Sequence, residues 1–233
     1  MSISTTRLEV MTELGRNMDN FVAQYLNPID SNWQPSDMLP DSTKDNFFDE
    51  VKLLQEAAKE LPYDYWAVLI GDTITEEALP TYESWLMGMD TVNQQDQENS
   101  WVRWIRNWTA EEGRHGNLLG TYLYLSGKVD MHSVAVSTQY LIADGFDIGT
   151  SGDPYRNFIY TQFREMPTNV SHRRTASLAK QHGNSLLSRM CAQIAADELR
   201  HAKAYKAFVT EIFKLDPSEM MIAFADMMKK KIV

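Results

Sequence analysis

Cysteine, glycine and proline are scarce in this sequence, and each shortage narrows what the protein can be. Cys191 is the only cysteine among 233 residues, which excludes an internal disulfide and a metal site built from several thiolates. Carboxylate and imidazole side chains are therefore the available metal ligands. With only 11 glycines and 8 prolines, long uninterrupted elements are expected.

The sequence also lacks long apolar runs and an excess of basic residues. No apolar segment approaches the roughly 18 residues that a membrane-spanning helix requires, and residues 1–7 lack the order of a secretory signal. We therefore expect a cytoplasmic protein with no transmembrane segment. The net charge of -10 argues against nucleic-acid binding, since phosphate groups attract clustered Lys and Arg.

Helical periodicity is present along most of the chain. Asp130 and Asp153 indicate helix starts, and Gly127 and Gly145 indicate helix ends. Long helices pack most readily as an antiparallel bundle, so we predict one all-α domain over residues 1–233. The clearest predicted helices span 99–125, 154–180 and 184–213, and shorter ones span 6–26, 46–59, 64–89, 131–143 and 217–230.

One five-residue pattern occurs twice, at residues 111–115 and 197–201. Each copy reads acid, Glu, any residue, Arg, His. On an α-helix the spacing of the Glu and the His places both side chains on one face, where they can bind a common metal ion. The alternative is an ordinary pair of solvated helix faces. The two pairs are Glu112 with His115 and Glu198 with His201.

Further carboxylates precede the two motifs at similar distances. Glu76 lies 36 residues before Glu112, and Glu165 lies 33 residues before Glu198. A dinuclear carboxylate centre takes one Glu from each of two helices and a Glu-x-x-His from each of two others. Glu165 lies among aromatic residues, where an unpaired carboxylate is costly to bury and a metal would compensate it. Only one of the adjacent Glu76 and Glu77 can face the core, and their position alone does not choose between them.

The donor set itself indicates which metals are suitable. Four carboxylates and two imidazoles balance the charge of two divalent cations, and these donors suit iron or manganese better than copper or structural zinc. Asp197 and Glu111 each lie four residues before a motif histidine. Each either accepts a proton from a ligating imidazole and so fixes its tautomer, or forms an ordinary helix pair.

With these residues in place, the chain resembles the soluble acyl-carrier-protein desaturases, the plant stearoyl-desaturase type and its bacterial relatives. The resemblance implies a ferritin-like di-iron helical bundle with extra helices. It also implies that Glu76 and His115 bind one iron, that Glu165 and His201 bind the other, and that Glu112 and Glu198 bridge. The segments that carry it are 33–35, 71–82, 108–112, 114–116, 122–127, 158–161, 195–198 and 224–228.

The same resemblance implies roles for residues around the irons. Thr168 matches a threonine that handles oxygen or protons beside the cluster. Trp33 and Asp197 match a hydrogen-bonded group that includes His115 and assists electron entry. Where plant-type relatives have Gly this chain has Asn157, and Gly88 replaces a Thr, so a different acyl length or bond position is expected. The implied channel residues are Trp85, Met89, Phe158 and Asn157.

The implied activity is the removal of two hydrogens from adjacent methylenes of a fatty acyl chain carried on acyl carrier protein. The implied cofactor is two iron ions, with manganese as a substitute, and the implied electron donor is of the ferredoxin type. Both protein partners are typically acidic, so residues 229–231 with Arg173 and Arg174 are the candidate docking clusters. A homodimer and a bacterial cytoplasmic location are expected on the same basis.

Two features of this interpretation leave alternatives open. The family's chains continue past the position of residue 233, so we expect this chain to lack their C-terminal segment or to represent a shorter relative. A di-iron centre alone does not dictate the reaction. A hydroxylase or N-oxygenase of another substrate, and an iron-binding bundle without enzymatic activity, are the alternative functions.

Overall fold

The computed structural model of the protein describes residues 5–96, 98–145 and 148–230, and within these ranges the regular elements are helices without strands. The predicted all-α class is therefore confirmed. In chain order the α-helices are α1 Thr5–Arg16, α2 Met18–Tyr25, α3 Phe47–Lys59, α4 Tyr63–Glu77, α5 Leu79–Met87, α6 Ser100–Ser126, α7 Met131–Asp144, α8 Pro154–Gln181, α9 Ser185–Leu215 and α10 Pro217–Lys229.

The predicted helix boundaries are confirmed where capping residues mark them. The Asp130 side chain accepts hydrogen bonds at the start of α7, and Asp153 accepts one from the Tyr155 amide at the start of α8. Gly127 follows α6 with φ 65°, a left-handed conformation that glycine adopts without steric cost. Gly145 follows α7, also with φ 65°.

Two predicted helices are each divided in the structure. The predicted helix 6–26 breaks at Asn17, whose amide bonds the Leu14 carbonyl at 3.0 Å in a tighter turn. The predicted helix 64–89 breaks at Ala78, between α4 and α5. Pro80 explains the second break, because proline has no N–H with which to continue the bonding pattern of α4.

The interior contains two apolar clusters with a polar layer between them. On α6 and α8 the chain passes from the aromatic core through the polar layer to the aliphatic core, and on α4 and α9 it passes in the opposite direction. Alternating directions bring the polar segments of four helices to one level. We call the first cluster the aromatic core, which includes Trp101, Trp104, Trp108, Phe158, Tyr205 and Phe208, and the second the aliphatic core, which includes Leu69, Leu118, Leu123, Leu187, Met190 and Ile194.

The helices α4, α6, α8 and α9 form the ferritin-like bundle, and the remaining helices surround it. The hairpin of α8 and α9 is the most extensive helix pair, and α10 packs against both of its members. In the part of the chain that the structure describes, no helix combines the length and the apolar character needed to cross a membrane.

The backbones of α4 and α6 touch at a glycine. A Cβ atom at Gly116 would lie 3.1 Å from the Glu76 carbonyl carbon and 3.1 Å from the Glu77 nitrogen. Both atoms belong to the main chain and cannot rotate away as a flexible side chain would. Gly116 therefore sets the distance between α6 and the segment of α4 that carries Glu76.

We predict that Gly116→Ala destabilises the metal-free protein by about 1–3 kcal/mol, the usual range for forcing an extra methyl group into a packed interior. Gly113→Ala, one turn earlier, is the matched control, because its Cβ would meet only the Leu79 side chain at 3.8 Å. Chemical denaturation measures both changes. Equal stability of the two variants would show that α4 and α6 tolerate a wider separation.

Candidate metal centre

Six buried side chains from α4, α6, α8 and α9 meet in the polar layer, and all of them are at most 3% exposed. They form two overlapping groups, and within each group one ligand atom per residue lies within 4.8 Å of all the others. Glu112 and Glu198 belong to both groups. The first group is completed by Glu76 and His115, and the second by Glu165 and His201.

These six residues are those that the sequence analysis selected, and the structure also separates Glu76 from Glu77. Glu76 is 3% exposed and faces the group. Glu77 is only partly buried, and its carboxylate lies 3.4 Å from the Thr138 hydroxyl on α7. The adjacent acids therefore point to different neighbours, as helical geometry requires of consecutive residues.

Both motif histidines turn Nδ1 toward the carboxylates. His115 Nδ1 lies 3.1 Å from Glu198 Oε1 and 3.4 Å from Glu112 Oε2. His201 Nδ1 lies 2.5 Å from Glu112 Oε1 and 3.7 Å from Glu165 Oε2. Each imidazole thus offers one ring nitrogen to the centre of the cluster and the other to its outside.

The outer nitrogens contact acids of the opposite helix. His115 Nε2 on α6 lies 3.3 Å from Asp197 Oδ2 on α9, and His201 Nε2 on α9 lies 2.8 Å from Glu111 Oε2 on α6. Asp197 and Glu111 therefore each contact a histidine on the other helix, and they do not form i, i+4 pairs within their own helices. An Nε2–H that donates to the acid leaves Nδ1 with a lone pair for a metal.

Two arginines bind the acids that contact the histidines across α6 and α9. Arg114 donates to Asp197 Oδ2 at 2.9 Å, and Arg200 donates to Asp197 Oδ1 at 2.9 Å and also to Glu111. The Arg of each motif is visible in the sequence, where its spacing alone predicts no role for it. The structure shows that each arginine neutralises an acid that holds an imidazole.

Trp33 connects this network to the partly exposed region before α3. Its Nε1 donates to Asp197 Oδ2 at 2.9 Å, and its ring stacks on His115 with the ring centroids 6.0 Å apart. The Arg114 guanidinium lies over the indole, 4.1 Å from the ring centroid. Trp33 and Asp197 therefore lie in the predicted contact with His115, while their role in electron entry stays a prediction.

On α8, Thr168 and Arg164 contact ligand carboxylates. Thr168 Oγ1 hydrogen-bonds Glu198 and lies 2.9 Å from the Glu165 carbonyl oxygen. The Arg164 side chain is largely buried, lies 3.4 Å from Glu165 Oε1 and covers the Tyr82 ring. The predicted oxygen or proton chemistry of Thr168 stays a prediction.

A third imidazole at the cluster was missed by the sequence analysis. His172 is 1% exposed, and its Nε2 lies 2.8 Å from Glu76 Oε1. The available signal was its spacing from Glu165, since seven residues are two turns and place both side chains on one face of α8.

Charges of opposite sign control ionisation in this layer. Burial alone would lower the pKa of His201, but the charge of Glu112 and the hydrogen bond to Glu111 raise it from 6.5 to about 9. Burial would raise the pKa of Glu76, but His115 and His172 lower it to about 2. Both imidazole and carboxylate are therefore charged at neutral pH in the metal-free protein.

Glu165 has the opposite behaviour. Burial first, and then the charges of Glu112 and Glu198, raise its pKa well above the ordinary value of 4.5, although Arg164 opposes them. A proton on Glu165 reduces the repulsion among the four carboxylates. Protons thus perform in the metal-free protein the charge compensation that a metal ion would perform.

The residues present fit a metal ion. Among the described side chains, several buried inward-facing atoms make no hydrogen bond of acceptable geometry, although buried polar atoms rarely lack one. These atoms converge on one another, and most of them are acceptors, so they need a shared cation and not another acceptor. They are Glu112 Oε1, His115 Nδ1, Glu165 Oε2, Glu198 Oε1 and His201 Nδ1.

The four residues predicted to line an acyl channel lie on the aromatic side of the cluster. Met89 and Phe158 are buried in the aromatic core, and the partly buried Trp85 packs against it. Trp85 Nε1 lies 3.1 Å from the Thr150 hydroxyl, and the buried Asn157 amide donates to the Ser151 carbonyl at 3.3 Å. Their role as a channel stays a prediction.

Comparisons with known proteins agree with this geometry. The sequence model of the family described as fatty acid desaturase matches residues 6–233. Among similar curated proteins is the chloroplastic stearoyl-[acyl-carrier-protein] 9-desaturase of Ricinus communis, which is 47% identical over 233 residues. Stearoyl-[acyl-carrier-protein] 9-desaturase 5 of Oryza sativa subsp. japonica is 50% identical, and palmitoyl-[acyl-carrier-protein] 4-desaturase 3 of Ophrys sphegodes is 47% identical.

Each of these comparisons covers 99% of this chain. The share of the relative that is covered is 59% for the Ricinus protein, 60% for the Oryza protein and 58% for the Ophrys protein. The chain therefore spans about three fifths of the length of these curated relatives.

We predict that metal binding releases protons. The number of protons released should decrease as the pH rises through about 9, the pKa of His201. Since folding raises this pKa from 6.5, the stabilisation from protonated His201 is complete below 6.5 and is lost as the pH rises through about 9. The metal-free protein should therefore lose stability in the window where its metal affinity increases.

Calorimetric titration with Co²⁺ in buffers of different ionisation enthalpy counts the released protons on either side of this pKa. Thermal unfolding of the metal-free protein over the same pH range tests the stability change. A proton count that does not vary with pH would contradict the predicted ionisation of His201.

Proposed function

Since the chain belongs to the fatty acid desaturase family, we propose that it desaturates fatty acyl chains carried on acyl carrier protein. The observation that carries the proposal is the pair of adjacent ligand sets that share Glu112 and Glu198. Two sets with two common carboxylates suit a dinuclear centre. The printed names of the relatives add the substrate class, which is an acyl group on acyl carrier protein.

In this proposal two iron ions occupy the two sets, and manganese is the alternative metal that the same donors accept. Glu76 and His115 would hold one ion, Glu165 and His201 would hold the other, and the two shared carboxylates would serve both. Two iron ions, when bound, supply the activation and reduction of dioxygen. The chain's own residues hold the ligands in position and provide the apolar surroundings of the acyl group.

The reaction balances with an external source of electrons. The acyl chain loses one hydrogen from each of two adjacent methylenes, and a carbon–carbon double bond forms. These hydrogens, with two electrons and two protons, reduce one dioxygen molecule to two water molecules. Trp85, Met89, Phe158 and Asn157 line the acyl site in this proposal, so placement of the chain decides which bond is oxidised.

We assign electron entry to the contact of Trp33 with Asp197 and His115, because Trp33 is partly exposed and reaches both. The proposed donor is of the ferredoxin type, and Thr168 serves oxygen or proton handling beside Glu198. A homodimer and a bacterial cytoplasmic location remain parts of the proposal that rest on family resemblance alone.

The structure favours one of the two candidate docking clusters for the carrier. Arg173 and Arg174 are both exposed on α8. In the other cluster, Lys230 Nζ is engaged with the carbonyl oxygens of Ile148 and Gly149, and Lys231 lies outside the described residues. We therefore propose that the acidic carrier protein docks at Arg173 and Arg174, in agreement with its charge.

The test of activity supplies the iron-loaded, anaerobically reduced protein with dioxygen and a series of acyl-carrier thioesters. We predict a product that has lost two hydrogen atoms, identified by mass spectrometry. Glu198→Gln should abolish the product because it removes charge from a shared ligand, whereas Glu60→Gln, at an exposed position, should retain it.

Other products of the same experiment would contradict desaturation. Gain of an oxygen atom would indicate a hydroxylase or an N-oxygenase. Iron uptake without any change in the thioesters would indicate an iron-binding bundle.

We predict that Arg173→Glu combined with Arg174→Glu raises KM for the acyl-carrier substrate by about tenfold and leaves kcat unchanged, because charge reversal acts on docking. The effect should diminish at high salt. Lys203→Glu combined with Lys206→Glu is the matched control, since both lysines are exposed and the change in charge is equal. An equal rise in KM for both double variants would refute a localised docking site.

A further inference from the structure

His172 contacts the cluster but belongs to neither Glu-x-x-His motif. Its Nε2 lies 2.8 Å from Glu76 Oε1. The other oxygen, Glu76 Oε2, lies 3.6 Å from His115 Nδ1. The two oxygens of one carboxylate therefore face two different imidazoles, of which only that of His115 belongs to a ligand set.

Acidic and hydroxyl groups lie behind His172. Asp72 lies one turn before Glu76 on α4, and its Oδ2 is 3.8 Å from His172 Nδ1. Ser171, next to His172 on α8, donates to both Asp72 oxygens at 2.8 and 3.0 Å. Ser171 and Asp72 thus connect α8 with α4 beside His172, and the Asp72 carboxylate places a negative charge near Nδ1.

Glu76 needs such support more than the ligands on the long helices do. It lies in the last turn of α4, and Pro80 cannot donate a backbone hydrogen bond to the Glu76 carbonyl. Within the described residues, the hydrogen bond from His172 is the contact that holds Glu76 from outside the cluster. Glu165 differs because it lies in the interior of α8 beside Arg164.

We propose that His172 is a positioning residue that donates from Nε2 to Glu76 Oε1 and leaves Oε2 as the oxygen presented to the metal at the Glu76 and His115 site. This inference rests on the proposed dinuclear centre. The two metal sites then differ, because His172 orients a carboxylate of only one of them. Loss of His172 should weaken one site and spare the site of Glu165 and His201.

The test is an anaerobic titration of the metal-free full chain with Co²⁺. Calorimetry and the visible absorption of the bound ion measure the binding. Wild-type protein should bind in two sites. In His172→Phe, which keeps a planar ring but has no donor, one site should weaken by about 10- to 100-fold, the usual effect of removing a group that orients a ligand. The other site should keep its affinity and absorption.

Conservative variants separate positioning from packing. In His172→Gln the side-chain amide occupies the region of Nε2 and can donate to Glu76, so two-site binding should return. In His172→Asn the amide corresponds to Nδ1 and falls short, so one site should remain weak. The Gln and Asn pair gives the same comparison if His172→Phe does not fold. His132→Phe, at an exposed position on α7, is the control for loss of a histidine.

Each outcome decides the proposal. Selective weakening of one site, with recovery in His172→Gln, supports it. Unchanged binding in His172→Phe, equal weakening of both sites, or failure of His172→Gln to recover overturns it. Two-site binding by the wild type in any of these cases leaves the proposed function intact, whereas a wild type that binds no Co²⁺ removes the basis of both.

Discussion

The fold depends on the balance of charge among four carboxylates that are buried together. An uncompensated buried ion costs several kcal/mol, whereas a fully buried large apolar side chain stabilises by about 1.5–3 kcal/mol. The aromatic and aliphatic cores on either side of the polar layer supply that stabilisation. Imidazoles and arginines in the layer supply part of the compensating charge, and a metal would supply the rest.

The crossed contacts between α6 and α9 explain why the five-residue pattern occurs twice. Asp197 holds His115 and Glu111 holds His201, so each motif orients the histidine of the other. Arg200 bonds both acids and joins the two halves. The network fixes the relative height of α6 and α9, because a shift of one turn would break all of these contacts together.

The six cluster residues could be predicted because their information is local. Helical spacing puts each Glu with its His, and similar separations point to Glu165 and to the adjacent Glu76 and Glu77, between which the family resemblance chose Glu76. The crossed acid pairs and His172 could not be predicted in the same way, since they join residues of different helices whose register is set by tertiary packing. The break at Pro80 was available from the sequence, because a proline inside a helical pattern interrupts the backbone hydrogen bonds, but the predicted helix 64–89 ran through it.

The two halves have matching candidate ligands but unlike surroundings, and the proposed reaction can use this inequality. Electrons and the acyl chain must reach one cluster without interfering with each other. Trp33 packs against the aliphatic core, whereas Phe158 and Met89 lie in the aromatic core. Electron entry and the residues proposed to line the acyl chain are thus assigned to opposite sides of the polar layer. Two identical halves would place the same side chains on both sides of the polar layer. Electron entry and the acyl chain would then have no separate sides.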